Sequence, residues 1–223
     1  MLQNYNWDIA PVLSALLKSE HFFDVMNQGC FIKSPVDFVV GTCREMKVAL
    51  PPGSDYATAY AVCGELLWLS SLMQQELGDP PSVSGWPAYY QIPTFHEMWI
   101  NNDTYPKRNQ FTDTLINTGY TLNNFLLQVD SVAFARSLNN PGDPKMLVED
   151  SLTVLYRIQL SDTIKEQLKK EILLTGQTND YYWTNAWNTY IANPTDMMAY
   201  QTVHTRLSEL YKYLLALPEY QLS

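Results

Sequence analysis

The sequence predicts an all-α fold, an orthogonal or irregular multi-helix bundle with little or no sheet. Helix-start signals recur, because a capping residue directly precedes a proline at Ser34–Pro35, Asp143–Pro144 and Asn193–Pro194. Apolar residues at helical spacing follow each of these pairs. No stretch alternates apolar and polar residues between hairpin turns, as a half-exposed strand would.

Each predicted helix has an apolar face. After Ser34–Pro35 this face consists of Val36, Val39, Val40, Cys43 and Met46. After Asn193–Pro194 it consists of Val203, Leu207, Leu210, Tyr211 and Leu214. Further helices are predicted after Asp143–Pro144 and Ser161–Asp162, from Asp55 to about Leu77, and near 8–22, 103–118, 131–138 and 180–192. In the helix from Asp55, the residues Tyr56, Tyr60, Cys63, Leu67 and Met73 fall broadly on one side. We expect one domain over residues 1–223.

The composition is that of a folded chain with an acidic surface. Hydrophobic residues make up 46% and charged residues 17% of the 223 residues, and the formal net charge is −9. Such a charge disfavours nucleic acid and anionic membranes as partners. No apolar run is long enough to span a bilayer, and residues 1–12 do not have the pattern of a signal peptide. Two or three of the three cysteines are interpreted as buried small apolar residues, with one disulfide left open.

One stretch, residues 78–102, does not fit the helical pattern. Its prolines, at 80, 81, 87 and 93, exclude a helix interior, and it carries several aromatic residues. Loops of this length in compact domains usually have a functional or packing reason. We therefore expect an ordered loop at Gly78–Pro93 and a site beside it.

Sequence blocks along the chain carry a family resemblance. Met73–Trp86, which reads MQQELGDPPSVSGW, resembles the signature of the bacterial domain-of-unknown-function family 1800. Four further blocks are similar to elements of that family, in the same order: LLKSEHFFD at 16–24, IKSPVDFVVG at 32–41, WINNDTYPKR at 99–108 and LALPEYQL at 215–222. The chain departs from the family pattern at residues 75–78, where members more often have an apolar pair.

The resemblance implies a setting rather than an activity. Members of the family are usually longer at the N-terminus, so it implies that this chain is the C-terminal part of a larger protein. Members commonly carry export signals, which implies a periplasmic or cell-surface location. The resemblance also implies two partners, the protein's own N-terminal region and a sulfatase-like protein encoded nearby.

Catalytic motifs for metal hydrolysis, serine hydrolysis and nucleotide binding are absent from the sequence, and no metal or other cofactor is expected. His96, Glu97 and Arg108 are the catalytic candidates, because a histidine, a carboxylate and an arginine together can move protons or hold an anion. A structural role is favoured for His96. On balance the sequence favours a non-enzymatic role for this chain.

Ligand-binding candidates come from the aromatic loop: Trp86, Tyr89, Tyr90, Trp99 and Asn101. Aromatic rings stack on the apolar faces of sugars while amides meet their hydroxyl groups, which is typical of glycan sites; inter-helix packing is the alternative. For the aromatic residues at 181–187, packing is favoured. For Lys33, pairing with a buried carboxylate is favoured over an anion site at the helix start.

Three functional hypotheses follow. The first is a binding or assembly module of an exported bacterial protein, with a glycan or cell-surface polymer as ligand. The second is part of a polysaccharide hydrolase whose site is completed by an N-terminal region. The third is a purely structural or protein-interaction domain, with an apolar patch for docking.

Overall fold

The computed structural model describes residues 2–86 and 96–223, and the described residues are predominantly α-helical, which confirms the predicted fold class. The α-helices are α1 Ile9–Leu17, α2 Pro35–Glu45, α3 Tyr56–Leu72, α4 Thr104–Asn117, α5 Ser131–Arg136, α6 Pro144–Leu155, α7 Asp162–Gln167, α8 Tyr181–Ala192 and α9 Met197–Ala216. A π-helical segment, Leu168–Leu173, continues α7. Short 3₁₀ turns lie at Leu2–Tyr5, Glu20–Phe23, Val25–Asn27, Glu97–Trp99 and Pro218–Gln221.

Local capping chemistry explains two of the three predicted helix starts. The Ser34 side chain accepts a hydrogen bond from the Asp37 amide, and Asp143 caps α6 in the same manner. The third prediction is wrong by three residues, because Asn193 ends α8 instead of starting α9. The cap of α9 is Asp196, whose carboxylate accepts from the amides of Met198 and Ala199.

One small hairpin lies between α4 and α5. Strands β1 (Tyr120–Leu122) and β2 (Phe125–Leu127) pair antiparallel, with Thr121 opposite Leu126. Asn123 and Asn124 connect them with φ of 49° and 66°, the left-handed backbone of a type I′ turn. The hairpin packs Leu127 into the core, so the little sheet that exists serves the helical bundle.

Helix α9 lies at the centre of the core. It contacts α4, α5, α8 and the π-helical segment. Its buried face includes all five residues of the predicted apolar stripe: Val203, Leu207, Leu210, Tyr211 and Leu214. The apolar pattern of this helix therefore identified the packing surface correctly.

Helix α3 turns its predicted apolar side outward. Tyr56 and Tyr60 are 71% and 75% exposed, and Cys63 and Leu67 are also exposed. The buried side carries Thr58, Val62, Leu69 and Ser70. The helix ends at Leu72, five residues before the predicted end, and Met73 is buried.

Neither a disulfide nor a helix that could cross a membrane is found among the described residues. All three cysteines are free; Cys43 is buried, whereas Cys30 and Cys63 are exposed, so the interpretation of a buried residue holds for Cys43 alone. Among the described residues, no helix combines the length and the apolar character needed to cross a bilayer.

The C-terminal residues close the fold against the segment before α2. Ile32 and Leu222 form an antiparallel bridge. The amide of Lys33 donates to the carbonyl of Gln221 over 2.7 Å, and the amide of Ser223 donates to the carbonyl of Phe31 over 2.8 Å. This contact brings Lys33 next to the end of the chain and to helix α4.

Candidate functional site

Trp99 and Asn101 organise the start of α4. The Trp99 side chain is only 4% exposed, and its carbonyl accepts a hydrogen bond from the Thr104 hydroxyl over 3.0 Å. The Asn101 side-chain oxygen accepts from the amides of Asp103 and Thr104, each over 2.9 Å, and its amide group donates to Gln74. Both predicted ligand residues therefore hold the first turn of α4 in place.

The other ligand candidates from the loop are Trp86, Tyr89 and Tyr90. Trp86 is partly exposed, and its ring centroid lies 6.4 Å from that of Trp99. Tyr89 and Tyr90 lie outside the described residues. The structure thus brings the rings of Trp86 and Trp99 near each other, and the prediction that they bind a ligand stays a prediction.

The three catalytic candidates have different environments. Glu97 is exposed in the 3₁₀ turn before α4, and the His96 ring meets the Phe31 ring edge-on, with centroids 5.2 Å apart. Arg108 is fully buried in α4. Its Nη2 donates to the Lys33 carbonyl over 2.8 Å and its Nη1 donates to the Gln221 side chain over 3.2 Å. The guanidinium of Arg108 therefore ties the segment before α2 to the C-terminal residues.

A polar cluster includes this arginine; we call Lys33, Glu45, Arg108, Arg157 and Tyr220 the Lys33 cluster. Lys33, Arg108 and Tyr220 are buried, Glu45 is partly exposed and Arg157 is exposed. Lys33 Nζ lies 3.6 Å from Glu45 Oε2 and 3.9 Å from the centre of the Tyr220 ring. The Tyr220 hydroxyl donates to Glu45 Oε2 over 3.0 Å, and Arg157 Nη2 donates to Glu45 Oε1 over 2.7 Å. The carboxylate that the sequence could not identify for Lys33 is thus Glu45.

The electrostatics of the Lys33 cluster follow from burial. Desolvation lowers the pKa of Lys33, and the negative charge of Glu45 opposes this shift. Desolvation also lowers the pKa of Arg108 to about 10. For Tyr220, burial and then the charge of Glu45 raise the pKa well above its ordinary value. Glu45 carries the one carboxylate of the Lys33 cluster, and its negative charge offsets the buried positive charge of Lys33.

Three of the five sequence blocks behind the family resemblance meet at this cluster. Lys33 comes from the IKSP block, Arg108 from the WINN block, and Tyr220 and Gln221 from the PEYQ block. Hydrogen bonds join Arg108 to Lys33 and to Gln221, which lie 75 and 113 positions away in the sequence. These blocks therefore mark residues that close the fold.

A groove on the opposite side of α4 is more accessible; we call it the Trp68 groove. Its floor contains the buried residues Met73 and Phe111, and Trp68, 53% exposed, lies beside them. Its polar rim consists of Lys107, Gln110, Thr114 and Tyr120. The volume is about 310 Å³. The groove thus combines an exposed indole, an apolar floor and several hydrogen-bonding groups.

The comparison with known families decides the membership of the chain. Residues 1–222 match the model of the family described as "Protein of unknown function (DUF1800)". The chain belongs to the DUF1800 family. No curated protein and no solved structure matches it.

Two contacts connect the Trp68 groove of this DUF1800 chain to the turn before α4. Gln74, which follows Met73, accepts from Asn101, and Lys107 Nζ pairs with Asp103 over 2.7 Å. Burial raises the pKa of Tyr120 above its ordinary value. Its hydroxyl, like that of any tyrosine near pH 7, is neutral and can donate or accept. The groove therefore neighbours the segment that the sequence singled out, although its own lining was not predicted.

The sequence contained a weak signal for this groove. Lys107, Gln110 and Thr114 follow helical spacing and form a polar stripe on one side of α4. Nothing in the sequence shows that this stripe faces Trp68 on α3. The pairing of two helix faces is a tertiary property, so local patterns cannot identify it.

Of the aromatic residues at 181–187, Trp183 and Trp187 pack as favoured, whereas Tyr181 and Tyr182 are 62% and 48% exposed. Trp183 is fully buried, and its indole nitrogen donates to the Pro141 carbonyl over 2.7 Å. Trp187 is also buried, and its ring centroid lies 5.8 Å from that of Trp183.

Within the described part of the chain, no group of three or more histidine, cysteine or acidic side chains could hold a metal ion.

Proposed function

We propose that this DUF1800 chain is a binding module that takes a neutral saccharide in the Trp68 groove. The observation that carries the proposal is the half-exposed indole of Trp68 beside an apolar floor and a polar rim. A pyranose ring has an apolar face of C–H groups and an edge of hydroxyl groups. The groove offers a complementary surface to each of them.

The rim supplies hydrogen-bonding groups of both kinds. The Gln110 amide, the Thr114 hydroxyl and the Tyr120 hydroxyl can each donate and accept, which suits sugar hydroxyl groups. Tyr120 also stacks on Phe111, with centroids 6.3 Å apart and an interplanar angle of 25°. This contact fixes the ring of Tyr120, so its hydroxyl is positioned before a ligand arrives.

The volume of the groove and the charges of the chain restrict the ligands that the groove can bind. A volume of about 310 Å³ is at the small end of ligand sites, which favours a short saccharide or the end of a longer one. The ammonium group of Lys107 already has an anionic partner in Asp103. Together with the net charge of −9, this pairing disfavours polyanionic glycans.

The proposal includes a periplasmic or cell-surface setting, and the resemblance to exported proteins supports it. It also keeps the N-terminal region and a sulfatase-like protein as partners, on the same support. The polysaccharide-hydrolase alternative has less support, because the Arg108 guanidinium is fully buried and engaged by Lys33 and Gln221.

The test is isothermal titration of the chain with cellobiose, maltose, xylobiose and N,N′-diacetylchitobiose. Trp68→Ala removes the platform, and Tyr60→Ala is the matched control, because Tyr60 is an exposed aromatic residue of the same helix that does not line the groove. We expect one of these sugars to bind the parent and Tyr60→Ala equally. Trp68→Ala should weaken its binding at least tenfold, about 1.4 kcal/mol. Equal binding by Trp68→Ala, or no binding of any sugar to the parent, would overturn the proposal.

A further inference from the structure

A second cavity lies where α5, α8 and α9 meet; we call it the Asp130 cavity. Asp130 and Arg136 line it from the two ends of α5, Tyr190 lines it from α8, and Tyr200 lines it from α9. Its volume is about 380 Å³, which suits a small ligand. None of its lining residues belongs to the Trp68 groove, so the two sites can be tested separately.

One side of α5 forms the floor of the Asp130 cavity. Arg136 follows Val132 by four positions and Ala133 by three, so these three side chains lie on the same side of the helix. Neither Val132 nor Ala133 has a polar side chain, and Val132 is buried. The floor between the two charged residues, Asp130 and Arg136, is therefore apolar.

Both charged residues of the cavity have free binding capacity. Among the described residues, the guanidinium of Arg136 makes no hydrogen bond and no ion pair, and so it does not pair with Asp130. One carboxylate oxygen of Asp130 accepts from the Ala133 amide over 2.8 Å, whereas the other makes no hydrogen bond or ion pair within the described chain. A cation and an anion thus line one cavity without neutralising each other.

Tyr190 gives independent evidence that the cavity receives a polar ligand. Its ring contacts those of Trp187 and Tyr200, with centroids 5.9 and 6.1 Å away, and only 5% of the residue is exposed. A buried tyrosine hydroxyl normally has a hydrogen-bond partner, but this one has none in the part of the chain that the structure describes. Because Tyr190 lines the cavity, a bound molecule can supply the missing partner.

Tyr200 connects the phenols of the cavity to its carboxylate. Its hydroxyl makes no hydrogen bond to any described residue. Burial, then the charge of Asp130 and then Tyr190 raise the pKa of Tyr200, so the Asp130 carboxylate acts on this hydroxyl through space. The cavity therefore offers a guanidinium, a carboxylate oxygen and two phenols, all of them without a partner in the described chain.

These groups select a ligand that carries both charges. A simple anion would meet the Asp130 carboxylate and a chain of net charge −9, and a simple cation would lie beside Arg136 and leave it unpaired. An amino acid has a carboxylate for the guanidinium and an ammonium group for the free oxygen of Asp130. We propose that the Asp130 cavity binds a small amino acid, whose carboxylate contacts Arg136 and whose ammonium group contacts Asp130.

Isothermal titration of the full chain with glycine, alanine, β-alanine and 4-aminobutyrate tests the ligand class. The four compounds separate the two charges by different distances, and we expect one of them to bind. The acid that lacks its amino group, and the amine that lacks its carboxylate, should each bind at least tenfold more weakly. If none of the four binds, or if either singly charged analogue binds as well as the amino acid, the proposal is overturned.

Three variants test the contacts. Arg136→Gln and Asp130→Asn should each weaken amino acid binding at least tenfold, and Asp130→Asn keeps the oxygen that caps α5, so the helix is retained. Tyr190→Phe removes only the hydroxyl and should weaken binding about threefold. Arg44→Gln is the matched control, because Arg44 is an exposed arginine that does not line the cavity, and it should bind like the parent.

Circular dichroism checks that the variants fold, and disaccharide titration checks that the Trp68 groove is unaffected. Unchanged amino acid binding in either Arg136→Gln or Asp130→Asn would overturn the proposal, because the ligand would not bridge the two charges. The saccharide proposal stands or falls separately, since it rests on other residues.

Discussion

The two faces of helix α4 have different environments. On one face Arg108 is fully buried and joins Lys33 to Gln221. On the other face Lys107, its neighbour in sequence, has a side chain that is 35% exposed at the rim of the Trp68 groove. Arg108, a residue of one resemblance block, lies on the first face, and the proposed ligand site lies beside the second. Arg108 therefore joins distant segments of the fold from within a resemblance block.

The largest expected effect concerns the buried face. Arg108→Ala leaves the Lys33 carbonyl and the Gln221 side chain without their donor and opens a cavity. We expect a loss of about 3–5 kcal/mol in the free energy of unfolding, measured by urea denaturation. Lys107→Ala, the matched control, should cost less than about 1 kcal/mol, because its ion pair is exposed. Similar losses in both variants would remove the distinction between the two faces.

The second effect concerns the carboxylate of the Lys33 cluster. Glu45→Gln leaves the buried Lys33 without a counter-charge and should cost about 2–3 kcal/mol in urea denaturation. Adding Lys33→Met removes the unpaired cation, so the double variant should be more stable than Glu45→Gln alone. If the double variant is instead less stable, the charge of Lys33 is not what Glu45 balances.

The third effect is a loss of stability at alkaline pH. Burial raises the pKa values of Tyr156, Tyr211 and Tyr220, so each phenol stays neutral in the folded state after it ionises in the unfolded state near pH 10. Their contribution is complete below pH 10 and is lost as the pH rises through the folded values. The lowered pKa values of Lys33 and Arg108 act in the opposite sense, so they offset part of the loss that the phenols cause.

The measurement is the free energy of unfolding in urea at pH 9, 10 and 11. We expect a net fall with rising pH, and Tyr220→Phe should reduce the fall between pH 9 and 11 by about 1 kcal/mol. Trp68→Ala is the control and should leave the slope unchanged. If Tyr220→Phe leaves the dependence of the free energy of unfolding on pH unchanged, the phenol of Tyr220 does not stay neutral in the folded state in the way we expect.

The smallest effect concerns the groove face. Trp68→Ala should change the free energy of unfolding by less than about 1 kcal/mol, because the indole is already 53% exposed. By contrast, Trp183→Ala should cost about 3–5 kcal/mol, because that indole is fully buried and donates a hydrogen bond. Differential scanning calorimetry of the two variants measures both values. A loss as large for Trp68 as for Trp183 would mean that Trp68 stabilises the fold.

Local signals predicted most of the helices. Ser34 and Asp143 cap the helices that they were expected to start, since capping depends only on neighbouring residues. Asn193 did not, because the preceding helix α8 runs up to it. The hairpin at 120–127 is too short for its alternation to be recognised, although Asn123–Asn124 is a turn signal.

The sequence did not show which helix faces are buried or which distant side chains meet in the fold. The outward side of α3 carries an apolar stripe as regular as a buried one, so its pattern could not show which side is covered. Glu45 as the partner of Lys33 required the contact between α2 and the C-terminal residues. The predicted ligand residues Trp99 and Asn101 hold the start of α4. The groove beside Trp68 forms between helices α3 and α4, whose residues in the groove lie 35 or more positions apart in the sequence.

The most direct test of the separation between the two faces of α4 is the urea midpoint at pH 7 with and without the best-binding disaccharide. At 100 times its Kd, a ligand that binds only the folded state should raise the free energy of unfolding of the parent by about 2.7 kcal/mol. We predict this gain for the parent and for Tyr60→Ala within a few tenths of a kcal/mol, and about half of it or less for Trp68→Ala at the same sugar concentration, because a tenfold weaker Kd leaves a gain of about 1.4 kcal/mol. An equal gain in Trp68→Ala, or none in the parent, would contradict the assignment of the groove as the ligand site.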